Sequence, residues 1–454
     1  MENKIEDAEA THPYGKHTQP IFVEQPSCYD FDDEIQALYA SVPEVASHFT
    51  ITNKIGEGSF SSVYLARLKH YPEVNELFAL KHIIPTTHPS RIENELKCLL
   101  NIGGQDNVMG IKLCLRCRDH VVIVMPIFPH EKLQEFLHQM DIDEAREYMK
   151  NLLIALRRVH QFNVIHRDVK PSNFLYNRLQ KQYALVDFGL SSGAILIDRD
   201  GDKLGKTVPG IKPKVVASTS AVSLESRMPL SPSKNDATNI MRPQKSVGSK
   251  SKKSTALKLT SSCSQLSTGG NGLCDCFGKP VICSLCIARN NQVAPRAGTA
   301  GFRSPEMLLK CPDQTTSVDI WAAGVVFLSI LSARYPFFRA PDDVGHLTQI
   351  ISLLGSEAVK EAAAAIGKVL TLSEHIPAVD LKNACMKLRL SQMSYKLGSS
   401  GHRSKMFQSW ANISDEPFDL LYKMLDPNPH TRITAAETLK HPFFRLSGNC
   451  EKCV

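Results

Sequence analysis

At 454 residues, 43% hydrophobic and 22% charged, the chain can bury a real core in one large or two ordinary domains, which excludes a disulfide-stapled miniature and a wholly disordered chain. Its net charge of +7 is uneven: from Lys203 to Lys258 stand 12 Lys/Arg against only Glu225 and Asp236, so one segment carries more than the whole excess. The polar start MENKIEDAEATHPYGKH has no signal core, the longest apolar run (IWAAGVVFLSIL, 320–331) is too short to span a bilayer, and NCEKCV at the end is no prenylation box, so a soluble intracellular chain without a membrane partner is expected.

In chain order, residues 1–48 read as an N-terminal extension, disordered to about residue 40, with a short helix in EIQALYASVPEVASHF. Residues 49–129 read as a small strand-rich lobe: FTITNKIGEG, SSVYLARL, LFALKHII and HVVIVMPIF are short and rich in β-branched and aromatic residues. One helix interrupts them, SRIENELKCLLNI, with Ile92, Leu96, Leu99 and Leu100 on its apolar face. Residues 130–446 read as a large helical lobe with two interruptions. The stretch 191–294 is rich in Ser, Lys, Thr and Gly and buries too little apolar surface to offset its ordering entropy; a shorter irregular patch covers 390–410, and 447–454 is a tail.

Chemistry enters at Ile55, Gly56, Glu57, Gly58, Ser59, Phe60, Ser61, Ser62 and Val63, a strand-turn-strand whose two glycines let backbone amides approach a phosphate. Next, Lys81 sits mid-strand in FALKHI, where it needs an acid to hold it; Glu95 on the following helix is preferred over Glu93, because apolar residues flank Glu95. The decisive set is VIHRDVKPSNFLYN followed by YALVDFGL. It presents Asp168 to steer an attacking hydroxyl, Lys170 to neutralise a transferring phosphoryl group, and Asn173 and Asp187 to share Mg2+.

These motifs, in this order, resemble the eukaryotic protein kinases over 49–190 and 295–446. The resemblance implies an α+β, bilobal kinase fold with a long insert in the activation segment, ATP between the lobes and Met125 at the back of its pocket. It also implies a Glu306–Arg432 ion pair, a central buried helix at SVDIWAAGV, Ser/Thr specificity from Lys170 and Thr299, and Arg167 as a receiver of an activation-loop phosphate. Two departures are mild: Ser61 replaces a glycine, and Ser304 replaces the Ala of Ala-Pro-Glu. Inside the insert, Cys274, Cys276, Cys283 and Cys286 have the spacing of a tetrahedral Zn2+ site that would close a long loop. The C-x-x-C of Cys114 and Cys117 has no second pair and reads as chance.

The insert's place and cysteine pattern, with QVAPRAGT, GFRSPE and KCPDQTTSVDIWAAGV, resemble the cell-division-cycle-seven kinases, catalytic subunits of the complex that fires replication origins. That likeness implies a nuclear enzyme, a Dbf-type regulatory subunit (the activator of S-phase kinase), and minichromosome-maintenance helicase subunits as substrates at Ser/Thr beside acidic residues. Arg296 and Arg303, flanking Thr299, are placed to grip such an acid. Two other readings compete: a Ser/Thr kinase of another pathway, and a zinc and basic-insert DNA-binding scaffold on a pseudokinase core. Few aromatics accompany the basic stretch, so direct nucleic-acid binding is not expected, and KSVGSKSKKSTALK reads more simply as a nuclear-import segment.

Overall fold

Alternation along β5 (His120–Pro126) shows how the small lobe is built: Val122 and Val124 face one apolar cluster, Val121 and Ile123 the other. A strand buried on both faces must be covered on both. The computed structural model, which describes residues 28–58, 61–71, 73, 76–85, 87–193, 297–396, 409–410 and 412–445, supplies both covers. Strands β1 (Phe49–Gly58), β2 (Ser61–Leu68), β3 (Leu77–Ile83), β4 (Leu113–Cys117) and β5 form one antiparallel sheet in the order β1-β2-β3-β5-β4. Helices α1 (Cys28–Ser41) and α2 (Pro43–His48) pack Ile35, Leu38 and Val45 on one face, over Tyr64, Leu80 and Val122. Helix α3 (Pro89–Asn101) packs Cys98 and Leu99 on the other.

Helix α1 already covers Cys28–Ser41, within the stretch the sequence reads as disordered to about residue 40, because the outer face of the sheet is apolar and needs that cover. A polar pin fixes the join. Glu34 on α1 accepts from Lys54 Nζ at 2.9 Å and from the Tyr64 hydroxyl at 2.6 Å, beside the irregularity in β1 between Lys54 and Gly56.

In the large lobe, α4 (Leu133–Phe136) leads to α5 (Ile142–Gln161), whose N-cap Asp141 accepts from the Glu144 amide at 2.7 Å. Its buried residues recur with helical period: Ala145, Tyr148, Met149, Leu152, Leu156 and Val159. The β6 (Phe174–Asn177) and β7 (Gln182–Leu185) hairpin follows. Beyond the insert come α6 (Pro305–Leu308), α7 (Ser317–Ser332), α8 (Asp343–Leu354), α9 (Ser356–Ala365), α10 (Leu381–Lys396), α11 (Glu416–Met424) and α12 (Ala435–Thr438). Helix α7 is apolar around its whole circumference and buried from Val318 to Ser332, the centre the lobe packs on. Under it, Arg432 grips Glu306 with both ends of its guanidinium, at 2.7 and 2.9 Å.

The stretch 390–410 is not irregular throughout. Its start lies inside α10, and Trp410, at its end, is fully buried. Arg389, also fully buried, stacks on the Trp410 ring at 3.6 Å and donates to the carbonyls of Ile330 and Leu331, at the end of α7. A cation there complements the helix dipole, and burial pulls Arg389 down to about 9. The helical period of LKNACMKLRLSQM is weak because this one buried position is charged.

Candidate active site

A cavity of about 330 Å³ lies where the β1–β2 hairpin, α3 and the loop after Ile165 converge, and Lys81, Glu95, Asp168, Lys170, Asp187 and Thr299 are among its lining. A larger cavity of about 650 Å³, walled by Leu353, Val379, Tyr422 and Ile433, shares no residue with it and holds none of the motif residues.

The amphipathic register of α3 turns Glu95 inward, where its Oε1 accepts from Lys81 Nζ at 2.6 Å. Glu93 points away and pairs with Lys97 on the surface, which settles between the two acids. Lys81 Nζ also donates to Asp187 Oδ1 at 2.8 Å. Burial would lower the lysine, but the two carboxylates hold it above its usual value. For Asp187, burial pushes up while Lys81 pulls down, and the lysine wins. Glu95, with less help, is left above the ordinary carboxylate value by burial.

The loop of Asp168 is drawn tight by a residue the motif reading missed. Asp319, in the first turn of α7, accepts from the His166 amide through Oδ2 and the Arg167 amide through Oδ1, both at 2.8 Å, and His160 Nε2 lies 3.0 Å from Oδ2. The signal was present: one acid within an otherwise apolar run, SVDIWAAGVVFLSIL. Arg167 and Asp187 both have φ of 68°, a strained backbone for side-chain-bearing residues that surrounding bonds must enforce. Asp168 then receives donors on both oxygens. Thr299 Oγ1 donates to Oδ1 at 2.6 Å; Asn173 Nδ2 and Lys170 Nζ each lie 2.9 Å from Oδ2. Thr299 reaches that far because Gly298, at φ 104°, passes the Arg167 carbonyl so closely that an added Cβ would lie 2.6 Å from it.

Of the hairpin residues, Gly58 and Ser61 line the cavity; Ile55 is exposed, Glu57 pairs with Lys54 at 3.2 Å, Gly56 lies across from Val63 and Ser62 from Glu57. Ser59 and Phe60 lie outside the described residues, as do Arg296 and the four cysteines Cys274, Cys276, Cys283 and Cys286. Met125 is half-buried on β5, opposite Ala79. Arg303 is engaged by the chain itself, donating to the Gly298 carbonyl at 2.7 Å and to Asp343 at 2.8 Å.

The donor set suits a hard cation. Asn173 spends its amide nitrogen on Asp168, and Asp187, which lines the cavity, spends Oδ1 on Lys81, so the carboxamide oxygen of Asn173 and the second carboxylate oxygen of Asp187 are the oxygens such a cation would take. Among the described residues, no group of three or more His, Cys, Asp or Glu is arranged as a metal cage.

Comparison with known proteins decides the family. The protein kinase domain matches residues 49–198 and 283–444, so the interruption it leaves, 199–282, is narrower than the insert of 191–294 expected from the sequence. A human protein named cell division cycle 7-related protein kinase is 37% identical, over 91% of this chain and 92% of its own length. The chain belongs to the cell-division-cycle-7-related protein kinases. A Drosophila melanogaster relative, named non-specific serine/threonine protein kinase Cdc7, is 32% identical over 93% of the chain and 78% of its own length. The cell cycle protein kinase spo4 of Schizosaccharomyces pombe is 28% identical over 91% and 89%. As a member of this kinase family the chain is an ATP-dependent serine/threonine kinase of the cell division cycle, and ATP and Mg2+ are its cofactors.

Proposed function

We propose that this cell-division-cycle-7-related kinase phosphorylates Ser/Thr beside acidic residues in minichromosome-maintenance helicase subunits, in the nucleus, together with a Dbf-type regulatory subunit. The observation that carries the catalytic part is the convergence of Lys81, Glu95 and Asp187 with Asp168, Lys170 and Thr299 in one cavity. The substrate and partner rest on the resemblance to the origin-firing kinases.

In this reading Lys81, held by Glu95, binds the nucleotide's phosphates under the hairpin of Gly58 and Ser61. Asn173 and Asp187 hold Mg2+, which when bound neutralises phosphate charge. Asp168 orients the substrate hydroxyl and takes its proton as the oxygen attacks the γ-phosphorus. Thr299, 2.6 Å from Asp168, marks where a hydroxyl can approach that carboxylate. Lys170, within 2.9 Å of Asp168, steadies the transferring group's charge while the nucleotide diphosphate leaves. Met125 closes the back of the base pocket. Arg296 and Arg303 meet the acid after the acceptor; for Arg303 this requires exchanging Asp343 for the substrate's carboxylate. Cys274, Cys276, Cys283 and Cys286 bind a structural Zn2+ that closes the insert.

The test is phosphate transfer to paired serine peptides, Asp or Ala after the acceptor, by the full chain with and without a Dbf-type subunit, with Asp168→Asn as blank. Activity that needs the subunit and favours the Asp peptide supports the proposal. Subunit-independent activity blind to the acid leaves a serine/threonine kinase of another pathway. Zinc is checked separately by metal analysis of the purified chain against a variant with all four cysteines changed to serine.

A further inference from the structure

Helix α3 touches the segment after Asp-Phe-Gly at a second place, one residue from Glu95. Asn94 Nδ2 donates to the Ser191 carbonyl at 2.9 Å and to the Ser191 hydroxyl at 2.8 Å. That hydroxyl in turn donates to the Phe188 carbonyl at 2.7 Å, and the Ser191 amide donates to the same oxygen at 3.0 Å. Cys98, one turn further along α3 and fully buried, sets its Sγ 3.7 Å from the Ser191 hydroxyl. Ser191 therefore ties Phe188, whose neighbour Asp187 receives Lys81, to the helix whose next residue holds Lys81.

The two residues that follow are pinned elsewhere. Ser192 exchanges backbone bonds with Ile165 at 2.8 and 3.0 Å, in the strand-like entry to the Asp168 loop. Gly193, at φ 127°, lies against the Asn163 carbonyl, where a Cβ would come within 2.2 Å. Three successive residues thus bind α3, the Asp168 loop and the end of α5's connection.

We propose that Asn94 and Ser191 form an uncharged latch that positions Glu95, so that the first residues of the long segment after Gly189 set the place of the helix that orients Lys81. The charged link through Lys81 depends on groups that also serve the reaction. The Asn94–Ser191 link does not: both partners are neutral, and neither lines the cavity. It holds α3 inward independently of what occupies the cleft. Asn94 and Ser191 are positioning residues and contact no substrate in this assignment.

The experiment uses the full chain, under conditions where it transfers phosphate, carrying Asn94→Ala, Ser191→Ala, both together, or Ser191→Thr. Losing hydrogen bonds of ordinary strength predicts that each alanine variant lowers kcat about tenfold, with the peptide KM unchanged. The double variant matches Asn94→Ala, which already loses both bonds to Ser191, rather than multiplying the two single losses, and Ser191→Thr, which keeps the hydroxyl, retains activity. Mass-spectrometric mapping of alkylation in the native state shows Cys98 modified faster in the alanine variants, because α3 swings from its seat. The proposal is overturned if kcat is unchanged, if the single losses multiply in the double variant, or if Cys98 stays as protected as in the parent. Should Asn94→Ala fail to fold, the Ser191 pair decides alone: Ala impaired and Thr active supports the latch, equal impairment refutes it.

Discussion

Two buried ion pairs, Glu306–Arg432 and Glu95–Lys81, look alike in a contact list and do opposite things. Arg432 is saturated: besides both Glu306 oxygens it donates to the carbonyls of Asp426, Ser317 and Pro427. Neither partner has any charge to offer a ligand, and the pair only holds the lobe together. Lys81 is shared between two acids, one of which, Asp187, has a side chain 46% exposed to the cavity. Glu95 is raised by burial that a single lysine does not offset. A closed pair belongs to the fold; an unevenly satisfied one, opening on a cavity, belongs to the chemistry.

The sharpest break of this comparison is Lys81→Met. Removing one charge-stabilising donor costs about 10²–10³ in kcat. The fold should survive, since Glu95 is already biased toward taking a proton; kinetics beside a thermal melt would show activity lost with the midpoint nearly kept. Arg432→Ala does the reverse. It leaves Glu306 buried and alone, at about 3–5 kcal/mol, and urea unfolding should register the loss directly.

A third prediction concerns pH. His346 is buried against Phe338, with Arg303 and Asp343 nearby, and burial followed by the Arg303 charge pushes it down to about 4. A depressed histidine stabilises the fold above its unfolded value of 6.5, and that contribution is lost as pH falls from there toward 4. By the free-energy equivalent of a pKa shift the full effect is up to about 3 kcal/mol. Glu95, raised when folded, works in the other direction. Melting midpoints at pH 7.5 and 5.0 for the parent and His346→Leu isolate the histidine: the variant should show the flatter dependence. The smallest effect is Glu93→Gln, whose pair with Lys97 is exposed and screened by solvent; kcat and midpoint should both stay at parental values, against a clear kcat loss for Glu95→Gln.

The bilobal fold was legible in the sequence from the order of its motifs, and so was which polar residues meet in the cleft; single helices and positioning residues were less so. Asp168, Lys170, Asn173 and Asp187 stand out in the sequence by their fixed spacing, and the structure gathers Asp168, Lys170 and Asp187 in one cavity with Asn173 bonded to Asp168. The inward turn of Glu95 could be read from its apolar neighbours. Asp319, Asn94 and Ser191 were harder, because each acts through a partner far away in sequence: Asp319 and the Arg167 amide are 152 residues apart, Asn94 and Ser191 97. Helix α1 was partly missed for a related reason, since its apolar face has meaning only once the sheet it covers exists. Arg389 was not legible as a core residue, because nothing local in the sequence shows that Trp410 and two carbonyls make a buried charge hospitable there.

The stacked pair of Arg389 and Trp410 has a bearing on how this lobe can vary. Both ends of the stretch between them are fastened to the core, at the end of α7 and at the Met140 carbonyl, which accepts from Trp410 Nε1 at 3.0 Å. With both ends fixed, the closure cost of the span between them rises only with the logarithm of its length, by about 0.6 kcal/mol per doubling. So long as the cation and the indole remain stacked, the lobe should tolerate changes in the length of the span between them at little cost in stability.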